Sequence, residues 1–170
     1  MVADSDVLVS LDSVQYLYLR ILAEPKDNAL RIIVQEAITN RENPVLADPG
    51  PAPELDALTS GAFPIESTAS CKTFMLEWKH YVAYLVTEEC VGSCGAYDDE
   101  IYSGRVFRTY TQSHLLSHLA RDTGGHFEPL QHHKLICLNH LIDVVATASP
   151  TISIVEPADE PATASSARIQ

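Results

Sequence analysis

The chain has 170 residues, of which 46 % are hydrophobic and 20 % charged; that is the length of one domain, with enough apolar material for an ordinary core. It excludes a multidomain machine, an intrinsically disordered chain and a disulfide-framework miniprotein. Eleven Lys and Arg against 23 Asp and Glu leave a net charge of −12, which repels phosphate backbones and anionic headgroups, so neither nucleic acid nor a membrane is an expected partner.

Met1 to Ser13 holds no basic region followed by an apolar core, and no window reaches the roughly 18 apolar residues of a membrane-spanning helix. A cytoplasmic location is therefore expected. Val14 to Leu22 (VQYLYLRIL) is apolar on both faces and predicts a buried strand. After the break at Glu24 to Asn28, the alternation of Leu30, Ile32, Val34 and Ile38 with Arg31 and Gln35 favours a second strand and a hairpin. Leu30, Ile33, Val34, Ala37 and Ile38 also fit helical spacing, so a helix over 29–39 stays open. Residues 40–66 carry five prolines and two glycines and predict a long loop or insertion.

Cys71 to Glu88 is the most aromatic stretch, with Phe74, Leu76, Trp78, Val82, Tyr84 and Val86 on even positions. It predicts a long strand, bent or divided near Trp78-Lys79-His80 because strands rarely run so far. An acidic, glycine-containing loop follows from Glu88 to Glu100. Arg105 to Tyr110 predicts a short strand leading into the one clear helix, with Ser113 as N-cap, an apolar stripe of Leu115, Leu116, Leu119 and Ala120, and Gly124-Gly125 as stop. Leu135 to Ala148 predicts one long strand or two short ones. The order does not alternate strand and helix, so the expected class is α+β, with a mainly antiparallel sheet of four to six strands and one clear helix. Residues 1–150 are expected to form the single domain, and 151–170, rich in Glu, Pro, Ala, Thr and Ser, a disordered tail.

Candidate chemistry concentrates late in the chain. Six of the seven histidines lie between residues 114 and 140. His114 and His118 stand at i, i+4 on the helix, and Cys137 and His140 form a Cys-x-x-His pair, so these four are the candidate metal ligands. No glutamate base sits between the helical histidines as in a zincin. A nucleophile and base can be drawn from Cys137 or Ser113 with His140 and Asp143. Cys90 and Cys94 form the close thiol pair of the chain, with a three-residue spacer that differs from the usual redox and zinc spacing. Phosphate-cradling glycine motifs are absent and no cofactor is expected.

The segments Gly104-Arg-Val-Phe107-Arg108-Thr-Tyr110-Thr-Gln-Ser113 with His-Leu-Leu after it, and Cys137-Leu-Asn139-His140-Leu-Ile-Asp143-Val-Val, resemble a group of small uncharacterised bacterial proteins. The resemblance implies a bacterial intracellular protein and directs attention to Gly104–Ser113 and His140–Asp143; it brings no activity with it. The leading expectation is a non-catalytic binding module whose acidic surface meets a basic protein, as inhibitors and immunity proteins do. Trp78, Tyr84, Arg105, Arg108 and Tyr110 are its candidate binding residues, with a small ligand as a further possible partner. The alternative is a metal-binding protein or a small hydrolase using the histidine-rich segment.

Overall fold

The computed structural model describes residues 4–42, 62–90, 99–127 and 129–156. In chain order these form α1 (Asp4–Ser13), β1 (Tyr16–Ala23), β2 (Leu30–Thr39), β3 (Ile65–Glu66), β4 (Thr73–Trp78), β5 (Tyr81–Glu88), β6 (Ile101–Ser103), β7 (Phe107–Gln112), α2 (His114–Asp122), β8 (Gln131–Ile136), β9 (His140–Ala146) and β10 (Thr151–Val155). The class is α+β with antiparallel pairing throughout. The strands divide between two five-stranded sheets, one ordered β1-β2-β4-β10 with β3 on β2, the other β5-β9-β8-β7-β6.

Alternation dictates the packing. Leu30, Ile32 and Val34 of β2 and Phe74, Leu76 and Trp78 of β4 point the same way, and all are buried. They meet Phe107, Leu135, Ile142, Val144 and Ala146 from the second sheet in one core, so the two sheets form face-to-face layers. The hairpin reading of 29–39 is the one observed, with β1 and β2 in register from Tyr16↔Ala37 to Ala23↔Arg31. The helical spacing of the same residues loses because β2 is paired on both sides. The aromatic stretch divides at Lys79-His80, and β4 and β5 enter different sheets.

The first helix had no counterpart among the expected elements. Its signal is Val7, Leu11 and Val14, spaced i, i+4, i+7, and all three are buried. The expected tail from residue 151 is corrected over Thr151–Val155, which pair with β4 from Thr151↔Glu77 to Val155↔Thr73; the β-branched run Thr-Ile-Ser-Ile-Val outweighs the change of composition after Pro150. Of the Pro-rich insertion, Ile65–Glu66 form the short β3, and Asn40 N–H donates to Pro64 O at 2.8 Å. Its remainder over 43–61, Cys94 and residues 157–170 lie outside the described residues.

Two connectors fix how the layers meet. The side-chain amide of Asn139, in the β8–β9 turn, accepts from Leu19 N–H at 3.0 Å and donates to Leu19 O at 3.1 Å. It thereby satisfies both backbone groups of Leu19 on the outer edge of β1, beside the point where the β1–β2 register shifts between Leu19 and Ile21. On the other side, Asp12 at the end of α1 accepts through Oδ1 from the backbone N–H groups of Arg105, Val106 and Phe107, at 2.6, 2.9 and 3.2 Å. Arg105 also donates through Nη2 to Val14 O.

Gly104 makes this turn possible. Its φ is +91°, and a Cβ placed there would lie 2.1 Å from Phe107 O. Gly104→Ala therefore incurs both backbone strain and a backbone clash. The expected loss is at least about 2 kcal/mol of unfolding free energy in a urea titration; a change below about 0.5 kcal/mol would contradict the turn geometry described.

Candidate functional site

The outward face of the second sheet carries the densest polar network among the described residues. Its rows follow from pairing: Tyr110↔His132, His132↔Val145, Lys134↔Asp143 and Leu85↔Asp143, with paired side chains sharing a face. β7 ends at Gln112, and Ser113 then turns the chain into α2, accepting Leu116 N–H through its hydroxyl at 3.1 Å. This is ordinary N-capping, and it sets Ser113 Oγ 2.9 Å from His132 Nδ1. The other ring nitrogen, Nε2, lies 2.9 Å from Asp143 Oδ1. Lys134 Nζ stands 3.5 Å from the second oxygen of Asp143.

With the ring proton on Nε2, His132 donates to Asp143 and accepts from Ser113, so every member of the chain is satisfied. The order serine, imidazole, carboxylate is that of an activated nucleophile. Burial decides what it can do: Ser113 is 2 % exposed, His132 3 % and Asp143 7 %. A substrate carbon must come within bonding approach of Oγ, and with all three side chains this deeply buried Oγ offers it no open approach. Aromatic stacking closes the network further. Tyr110 lies parallel to His132 at 4.3 Å between ring centroids, Tyr102 packs on Tyr110 at 5.2 Å, and Arg108 lies over the Tyr102 ring at 4.5 Å. Burial is the first cause that raises the Tyr110 phenol above its usual range.

The neighbouring histidine is turned inward. His133 stacks on Phe107 at 5.3 Å, lies 6.1 Å from the Trp78 ring, and shares a 3.2 Å hydrogen bond between Nδ1 and Thr109 Oγ1. Burial pushes its pKa down to about 4 from 6.5. A base whose folded pKa is depressed binds its proton more readily when unfolded, so stability is complete above about pH 6.5 and falls as pH drops toward 4. The loss reaches about 3 kcal/mol by pH 4. Urea titrations of the wild type and His133→Leu at pH 7 and pH 4.5 should show a smaller acid loss in the variant; equal losses would remove His133 as the cause.

The expected metal ligands do not come together. His114 Nε2 faces Asp99 at 3.1 Å and His118 Nε2 faces Asp122 at 3.4 Å, both on exposed side chains. Cys137 belongs to the core, where burial pushes its thiol up to about 12. His140 opens β9, and its carbonyl accepts Cys137 N–H at 3.0 Å. Among the described residues no group of three His, Cys, Asp or Glu side chains is placed to hold a metal ion. For the nucleophile arrangement, Ser113 and Asp143 do converge, but on His132 in place of His140; a period-two reading of His132 and Lys134 as one face would have found it.

The candidate binding residues also separate. Trp78 is in the core, Tyr84 shares the inner face with Val144, and Tyr110 is on the outer face. Tyr84 Oη donates to Glu24 Oε1 at 3.0 Å, the main cause of its raised pKa. Arg105 ties β6–β7 to α1, and Arg108 serves the Tyr102–Tyr110 stack.

What stays exposed is the edge. β5 is the outer strand of its sheet and pairs on one side only, with β9. Beyond that ladder, its one backbone bond among the described residues is from Tyr81 N–H to Asn28 O, at the strand start. Leu85 is 54 % exposed and Val86 39 %, and the strand runs into the acidic pair Glu88-Glu89. An eight-residue edge strand with no strand on its outer side among the described residues, and with exposed apolar side chains, is a surface that folded proteins usually blunt. Comparison with protein-family models, curated proteins and solved structures finds no match to this chain.

Proposed function

We propose that the protein is a non-catalytic binding module that receives a basic protein segment along the edge of β5. The observation that carries this reading is the stretch Ala83–Glu88, which pairs with β9 on one side and carries no strand on the other among the described residues. It offers main-chain donors and acceptors for an added strand, Leu85 and Val86 for apolar contact, and Glu88 and Glu89 for charge. Strand addition draws affinity from the backbone and selectivity from side chains on alternate faces. The net charge of −12 adds long-range attraction for a cationic partner and accelerates encounter.

The test is capture from an extract of the source cells on immobilised full-length protein at low and raised salt, beside Leu85→Lys and Glu88→Lys/Glu89→Lys. The reading expects one basic protein, retained by the wild type at low salt, weakened by salt, and at least tenfold depleted on both variants. Equal capture by wild type and variants overturns it, as does recovery of no protein under either condition.

The Ser113–His132–Asp143 chain favours a second reading, a small hydrolase. Its sealing beneath Tyr110 and its service as the α2 cap support a folding role. Covalent labelling of Ser113 by a fluorophosphonate in the native protein would reverse that assignment.

A further inference from the structure

At the end of the first sheet, the β1–β2 loop, the β4–β5 turn and the start of β10 enclose a pocket of about 360 Å³, within the range of small-ligand sites. Its lining includes Lys26, Arg31, Glu77, Trp78, Lys79 and Thr151. Pairing brings them together: Leu30↔Trp78 and Arg31↔Glu77 across β2–β4, and Thr151↔Glu77 across β4–β10. The one carboxylate of the lining is already engaged, since Glu77 Oε1 accepts from Arg31 Nε at 2.9 Å and Nη2 at 2.8 Å. Lys26 and Lys79 make no ion pair among the described residues. Both lysine side chains are exposed and line the same pocket. Trp78 forms part of the wall, with its Nε1–H buried and without an acceptor among the described residues.

Donors in excess of acceptors, with positive charge at the rim and an aromatic wall, suit a ligand group that only accepts. We propose that this pocket binds a small oxyanion, a carboxylate or phosphate group carried by a small molecule. The ammonium groups of Lys26 and Lys79 supply charge-assisted hydrogen bonds to its oxygens, and the anion leaves the Arg31–Glu77 pair intact.

Trp78 is the one tryptophan of the chain and lines this pocket, so its emission serves as a probe of it. The full-length protein is titrated separately with sodium phosphate and sodium acetate, against sodium chloride at matched ionic strength, with thermal melting as a second readout. The expected result is a saturable change with phosphate, acetate or both, and an apparent Kd at least tenfold weaker in Lys26→Gln/Lys79→Gln. That variant alters two exposed side chains, and its melting temperature without added anion should match the wild type. Response to phosphate alone identifies a phosphoryl ligand, to acetate alone a carboxylate, and to both an oxyanion of either kind. The proposal is overturned if neither anion gives a saturable change in emission or melting, if chloride reproduces the change, or if the double variant titrates like the wild type.

Discussion

Asp143→Ala is expected to lower the unfolding free energy by about 3–5 kcal/mol, a large part of the roughly 5–15 kcal/mol that holds a domain of this size. The side chain is 10 % exposed, accepts from His132 Nε2 at 2.9 Å and is ion-paired with Lys134 Nζ at 3.5 Å. Removing it strands a buried imidazole donor and leaves the Lys134 ammonium, 15 % exposed, without its counter-charge. The stranded groups cause more of the loss than the missing contacts do. Asp143→Asn keeps an acceptor for His132 and forfeits only the charge, so its loss should be smaller. Lys134→Met in the Asp143→Ala background removes the orphaned cation and should restore about 1 kcal/mol or more. Urea titrations of the wild type, these three variants and Lys134→Met alone check this; a Lys134→Met effect that is identical with and without Asp143 would show that the pair is not coupled.

Asp12→Ala should cost about 2–4 kcal/mol by a different route. One carboxylate oxygen serves three successive N–H groups, two of them on the buried residues Val106 and Phe107. Val106 and Phe107 are held in the core, so their amides are not free to turn to water in its place. Since Asp12 ends α1, the variant should also loosen the helix, so limited proteolysis should cut within 4–13 sooner than in the wild type. Asp12→Asn retains Oδ1 and should lose about 1 kcal/mol. Alanine and asparagine variants of equal stability would mean that the carboxylate is not the organising acceptor.

Strands with strict alternation were legible in the sequence. Leu30, Ile32 and Val34 announced β2, the aromatic row from Phe74 to Val86 announced β4 and β5, and Ser113 with the leucine stripe announced α2. Elements whose identity depends on pairing were not. His132 and His133 sit side by side in a polar run, Gln-His-His-Lys, which β-propensity does not favour; β8 exists because β7 and β9 flank it. β6 has three exposed residues and is a strand only through β7. The same limit governed the sites. Ser113 and Asp143 were found as candidates, but His132 reaches both only because a strand places it one row from each. Lys26 and Lys79 lie 53 positions apart in the chain, and the β2–β4 register brings the segments that carry them to one pocket. The metal reading failed to converge because spacing along the chain cannot tell an exposed helical histidine from a buried core thiol.

The polar residues that look most like chemistry thus hold the outer face of the second sheet together, while the β5 edge, paired on one side only among the described residues, is where the proposed partner strand adds. Amide hydrogen exchange of the full chain, alone and saturated with the basic protein recovered by capture, tests this division most directly. Strand addition predicts slowed exchange over Ala83–Glu88, with the β8 and β9 amides, already protected in the free protein, unchanged. Protection that leaves β5 as it was and appears instead around Ser113 and His132 would contradict it.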